Sequence, residues 1–74
     1  MSERMQQLDK VVMLTRQYFV MEYHAGTRYM VERYIFRTTG ENVEPMLISA
    51  ALKILKDNGA ISQDHRVWFF IADK

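Results

Sequence analysis

The stretch P-M-L-I-S-A-A-L-K-I-L-K-D-N-G-A-I-S-Q-D-H-R-V-W-F-F-I, from Pro45 to Ile71, decides how this chain folds. With successive residues about 100° apart, as in an α-helix, Ile48, Ala51, Leu52 and Leu55 form one apolar stripe, widened by Leu47 and Ile54. Met46, Ser49, Ala50, Lys53, Lys56 and Asp57 fall on the opposite arc. Pro45 has no N–H to leave unpaired and so suits a first helical turn, and Glu44 before it favours the positive end of the helix dipole. Asn58-Gly59 supplies a left-handed stop. Ala60-Ile61-Ser62 and Val67 to Ile71 then follow as short apolar or β-branched runs around the polar Gln63, Asp64, His65 and Arg66, which is hairpin spacing.

The rest of the chain limits what can be built around that unit. With 74 residues there is room for one domain, spanning residues 1–74. A domain this small buries only about 60% of the surface its unfolded chain exposes. The chain has no cysteine, so neither disulfides nor thiolate metal sites can reinforce it. A well-filled core or self-association must do so instead. Six Met, four Tyr, four Phe and one Trp make an apolar surplus, some of which is expected to meet a partner.

Upstream, a helix from Ser2 to about Tyr23 places Met5, Leu8, Val12, Thr15 and Phe19 on one side, with Ser2 as a cap. His24-Ala25-Gly26 breaks it and Thr27 caps a second helix carrying Met30, Val31, Tyr34 and Ile35, which ends at Thr39-Gly40. A competing reading takes Tyr18 to Tyr23 and Arg28 to Phe36 as strands of an N-terminal β-hairpin, followed by the helix and a C-terminal strand or hairpin. The helical reading is preferred because the alternating residues between Tyr29 and Phe36 give neither face a polar role. The expected fold is therefore α+β, three helices followed by a β-hairpin. Within the hairpin, Trp68 and Phe70 should face one way and Phe69 the other.

The segment I-S-A-A-L-K-I-L-K-D-N-G-A-I-S, followed by a hairpin ending in W-F-F-I, resembles winged-helix transcription regulators. The resemblance spans roughly residues 27 to 72. It implies a small winged helix that contacts double-stranded DNA with its third helix, residues 45–58, and with a wing at residues 62–66. Two departures accompany it. The link between the second and third helices is longer than a tight helix-turn-helix uses, and the third helix offers few long polar side chains to read bases.

Residue by residue, the DNA-contacting candidates are Arg28, Arg33, Arg37, Ser49, Lys53, Lys56, His65 and Arg66. Lys53 and Lys56 suit phosphates, and Ser49 is small enough for a backbone to approach. His65 and Arg66 sit at the tip of the wing. Arg28, Arg33 and Arg37 form the densest basic cluster, with Arg33 and Arg37 on one helix edge. The ordinary alternatives are a solvated helix face for Lys53 and Lys56, a polar turn for His65 and Arg66, and solubilising surface charge for the three arginines of the cluster. Tyr29, Phe36 and Met46 are candidates for a docking or dimer patch.

Formal net charge is +1, with six basic and four acidic residues in 1–40 against four basic and five acidic in 41–74. Any electrostatic footprint is thus expected mainly in the first half. No apolar run approaches the ~20 residues of a membrane span and no signal-peptide pattern opens the chain, so a cytoplasmic protein is expected. The only two histidines lie in isolated pairs with acids, and no phosphate-loop or dinucleotide motif is present. No catalytic residues, metal or cofactor are expected. The end N-G-A-I-S-Q-D-H-R-V faintly resembles Holliday-junction resolvases, but Val43 and Pro45 stand where their acids would be, so that activity is rejected. The expected partner is duplex DNA, bound by a homodimer joined through the N-terminal helix, because pairing doubles the contacts of one small module. A non-catalytic protein-interaction module of the same fold, an adaptor or inhibitor, is the alternative.

Overall fold

The structure, a computed structural model, describes residues 3–71; the Ser2 cap lies outside that range, as does the side chain of Met5 in the expected first stripe. The elements run α1 (Glu3–Gln17), a π turn (Tyr18–Glu22), β1 (Ala25–Gly26), α2 (Arg28–Thr39), α3 (Pro45–Asp57), β2 (Ile61–Asp64) and β3 (Val67–Phe70). The strands pair antiparallel in the order β1-β3-β2. This is the layout of a small winged helix. The hairpin reading of Tyr18 to Tyr23 and Arg28 to Phe36 gives way to helix in both segments.

Local chemistry sets most boundaries. Thr27 caps α2, its hydroxyl accepting the Met30 N–H at 3.3 Å, which satisfies one of the orphan donors of the first turn. Gly40, at φ 77°, ends α2, its N–H donating to the Phe36 carbonyl at 2.7 Å. After α3, the Ala60 N–H reaches the Leu55 carbonyl and the Gly59 N–H the Lys56 carbonyl, both at 3.0 Å. This pair of bonds is a Schellman stop, with Gly59 in the left-handed conformation at φ 83°.

The core gathers Val11, Leu14, Tyr18 and Phe19 from the first helix, Val31 and Ile35 from α2, Ile48, Ala51, Leu52 and Leu55 from α3, and Ile61 from β2. The α3 stripe is the one its periodicity gives. The stripe on α1 is not. Val11, Leu14, Thr15, Tyr18 and Phe19 are buried, while Leu8 and Val12 are only half-buried. The buried face is therefore rotated by roughly two thirds of one helical step from the expected one. Tyr18 is the cause. Its ring packs against Phe19, Tyr23 and Tyr34 with centroids 4.8, 5.0 and 5.5 Å away, and its hydroxyl donates to the Ala25 carbonyl at 2.9 Å. Burial, reinforced by neighbouring Tyr23, pushes the Tyr18 phenol pKa up.

The end of the first helix departs from α geometry. The Tyr23 N–H bonds the Tyr18 carbonyl at 2.9 Å, an i→i+5 bond that widens the last turn. His24 then takes a left-handed φ of 70°, its Nδ1 lying 2.9 Å from the Phe19 carbonyl oxygen, and its own carbonyl accepts from the Phe70 N–H at 2.7 Å. This reversal delivers Ala25 and Gly26 to β3, opposite Phe69 and Trp68. The hairpin expected at the C-terminus is thus a three-stranded sheet. Its third strand, two residues long, is too short to leave a periodic trace.

Candidate nucleic-acid interface

Three elements meet at one groove. Arg28 opens α2, Ser49 lies on the outward arc of α3, and Arg66 closes the wing turn; with Thr27, Tyr29 and Trp68 they line a single open groove. The Arg28 guanidinium donates to the Ser49 hydroxyl at 3.4 Å, tying the start of α2 to α3. Thr27 makes this floor the positive end of the α2 dipole. No carboxylate lines the groove among the described residues, so its field comes from two guanidiniums and a helix N-terminus.

The wing is built by register. Ile61 faces Phe70 and Ser62 faces Phe69, while Gln63 pairs with Trp68 and Asp64 with Val67, leaving His65 and Arg66 as the turn. His65 adopts a left-handed φ of 59°, and the Gln63 side-chain amide donates to its carbonyl at 2.8 Å. Alternation along β3 leaves Trp68 and Phe70 half-buried against the core, with Val67 and Phe69 exposed. Trp68 is thereby both a core residue and a wall of the groove.

The remaining candidates divide. Lys53 and Lys56 are exposed on α3 beyond Ser49 but already have partners: Lys53 Nζ lies 3.3 Å from Asp57 Oδ2, and Lys56 donates to Gln63 Oε1 at 3.1 Å. His65 Nε2 lies 3.8 Å from Asp64 Oδ1 at the wing tip. Arg33 and Arg37 do share an edge of α2, as their spacing predicts, but they line other grooves with Tyr29, Phe36, Tyr23 and Tyr34. The Arg33 guanidinium donates to the Tyr29 hydroxyl at 3.1 Å and lies 5.8 Å from the centre of that ring. That bond raises the Arg33 pKa further, keeping the side chain cationic.

The sequence alone singles out the cations of the groove, Arg28 and Arg66, but not its walls. Tyr29 and Trp68 become walls only because α2, α3 and the wing pack side by side, and Thr27 joins them as the cap of α2. The pairing of Trp68 with Gln63 follows once the two-residue turn is assigned, so the hairpin register was the available signal. Among the described residues no cluster of three or more His, Asp or Glu is disposed to hold a metal ion, and no helix is long and apolar enough to cross a membrane. Comparison with protein-family models, with curated proteins and with solved structures finds no match.

Proposed function

We propose that this protein is a cytoplasmic DNA-binding regulator that docks on duplex DNA through α3, the start of α2 and the wing. The observation that carries this reading is the convergence of Arg28, Ser49 and Arg66, from three separate elements, on one groove that no carboxylate lines among the described residues. Arg28 and Arg66 act as phosphate clamps lining one groove beside Ser49 of α3, and guanidinium groups bind phosphate oxygens with directed hydrogen bonds. Lys53 and Lys56 add phosphate contacts by exchanging Asp57 and Gln63 for the backbone, and His65 enters the adjoining groove at the wing tip.

The outward arc of α3 begins with Met46, 80% exposed, and continues with Ser49 and Ala50. These residues offer little hydrogen bonding to base edges. Affinity therefore rests on phosphates and sequence discrimination is weak. Neutralising about four phosphates corresponds to a slope of about −3.6 in log affinity against log salt. Fluorescence anisotropy with a mixed-sequence duplex at two salt concentrations tests the proposal: steep loss of affinity with salt supports it, and absence of binding at low salt overturns it.

A second reading is a non-catalytic protein-interaction module. It draws on the exposed apolar residues Tyr29, Met30 and Phe36 along α2. Under that reading Arg28→Ala and Arg66→Ala leave function untouched, whereas under the first they weaken DNA binding.

A further inference from the structure

A second groove lies between the end of the first helix and α2, and it shares no lining residue with the groove of Arg28, Ser49 and Arg66. Met30, Arg33, Tyr34 and Arg37, spaced i, i+3, i+4 and i+7, make one stripe of α2, and Tyr18 and Tyr23 close the other side. The π turn is what brings those two rings together: the Tyr23 N–H bonds the Tyr18 carbonyl, and the ring centroids lie 5.0 Å apart. Widened turns of this kind recur at functional sites. Tyr23 and Tyr34 stand nearly perpendicular, at 85° with centroids 6.3 Å apart, so they form a corner offering one ring face and one ring edge. Tyr18 is buried and its hydroxyl is committed to the Ala25 carbonyl, which leaves its ring as the floor. Both guanidiniums are exposed at the rim, and no carboxylate lines this groove among the described residues. Arg33 gives one N–H to Tyr29 and keeps its other donors for a ligand. Arg37 takes no part in the ion pairs among the described residues.

We propose that this groove binds a phosphate monoester carried on a planar ring, the chemistry shared by a mononucleotide and an aryl phosphate. The ring stacks in the corner of Tyr23 and Tyr34, whose faces and edges suit aromatic contact, with Met30 as an adaptable apolar neighbour. The phosphate meets Arg33 and Arg37, since a guanidinium fork matches phosphate oxygens bidentately. One fork satisfies a carboxylate. Two forks one helical turn apart match the double charge and three acceptor oxygens of a monoester. The same two cations repel an organic cation, which tyrosine faces would otherwise attract. The cavity is about 220 Å³, below the roughly 300–1,000 Å³ of pockets for drug-sized ligands, so there is room for a ring and its phosphate and little more. This site does not depend on DNA binding.

Amide NMR titrations of the full chain with adenosine monophosphate, phenyl phosphate, inorganic phosphate and adenosine test it. At least one of the two ring phosphates is expected to bind about tenfold or more tighter than inorganic phosphate or adenosine, moving the signals of Tyr23, Tyr34 and Arg37. The tighter of the two identifies the source of the ligand. Arg37→Ala should weaken that binding about tenfold, and Arg37→Lys, which keeps the charge without the fork, should recover part of it. Tyr23→Ala should weaken the ring phosphates and leave inorganic phosphate unchanged. Both side chains are exposed, and circular dichroism checks that the variants keep the fold. Failure of both ring phosphates to bind overturns the proposal, as does equal binding of inorganic phosphate or adenosine. Shifts that map to Arg28, Ser49 and Arg66 instead place the ligand in the other groove and overturn it too. So does an Arg37→Ala variant that binds the ring phosphates normally and only flattens the salt dependence of duplex binding, which assigns the arginine to DNA.

Discussion

The phenol of Tyr18 occupies the space that a Cβ on residue 26 would need. Gly26 is buried in β1, and a methyl group there would collide with the Tyr18 hydroxyl and press on the ring carbon that bears it. Tyr18 cannot swing aside, because it is 1% exposed and its ring is held by Phe19, Tyr23 and Tyr34. Gly26→Ala is therefore expected to destabilise the protein by about 2–3 kcal/mol, read by urea denaturation. Combined with Tyr18→Phe, which removes the clashing oxygen, the loss should be less than the sum of the single losses. Strict additivity would show that the two residues do not contend for the same space.

Tyr18 also predicts an alkaline limit. Its folded pKa is raised by burial and by Tyr23, so the neutral phenol is favoured in the native state. The stability this contributes is fully present below the ordinary tyrosine pKa of about 10 and is lost as pH rises from there through the folded value. Tyr18→Phe loses the hydrogen bond to the Ala25 carbonyl, about 1 kcal/mol at neutral pH. The gap between the two proteins should narrow above about pH 10, and a constant gap would contradict the assignment.

Thr15 is fully buried and its hydroxyl has no hydrogen-bond partner. An unpaired buried hydroxyl costs more than the methyl group that replaces it in Val. Thr15→Val should raise stability by about 1 kcal/mol in thermal unfolding. A loss of that size would mean the hydroxyl is satisfied in solution.

His65 holds a left-handed backbone at φ 59° with its side chain 94% exposed. A non-glycine residue is disfavoured there by about 1–2 kcal/mol, partly offset by the larger folding entropy of glycine. His65→Gly should thus stabilise the wing by up to about 1 kcal/mol, while removing a side chain from the tip proposed to contact DNA. Higher thermal stability together with weaker duplex binding is the expected pair of results.

The cations of the candidate interface should rank by their present partners. Arg28→Ala and Arg66→Ala are each expected to flatten the salt dependence of duplex binding by about one unit. Lys53→Ala should do less, because Lys53 gives up Asp57 to reach a phosphate. Equal effects from the arginines and the lysine, measured by anisotropy titration, would remove the groove from the centre of the interface.

What the sequence determined by itself are the units whose signals are local. The α3 stripe Ile48, Ala51, Leu52 and Leu55, the cap at Thr27, the stops at Gly40 and Gly59 and the turn at His65 and Arg66 follow from helical period, hydroxyl capping and the freedom of glycine at positive φ. Each depends on residues within a few positions of one another. Tertiary structure alone decided the face of α1, the third strand and the membership of the groove. Tyr18 is drawn inward by a carbonyl at Ala25, β1 is stabilised only by β3 far along the chain, and Arg28, Ser49 and Arg66 become neighbours only when α2, α3 and the wing pack on a common core. The physical reason is range: periodicity records which side of an element is apolar, but not which partner that side will meet. Where two faces of α1 were both apolar enough to be buried, the packing of one tyrosine settled which went in.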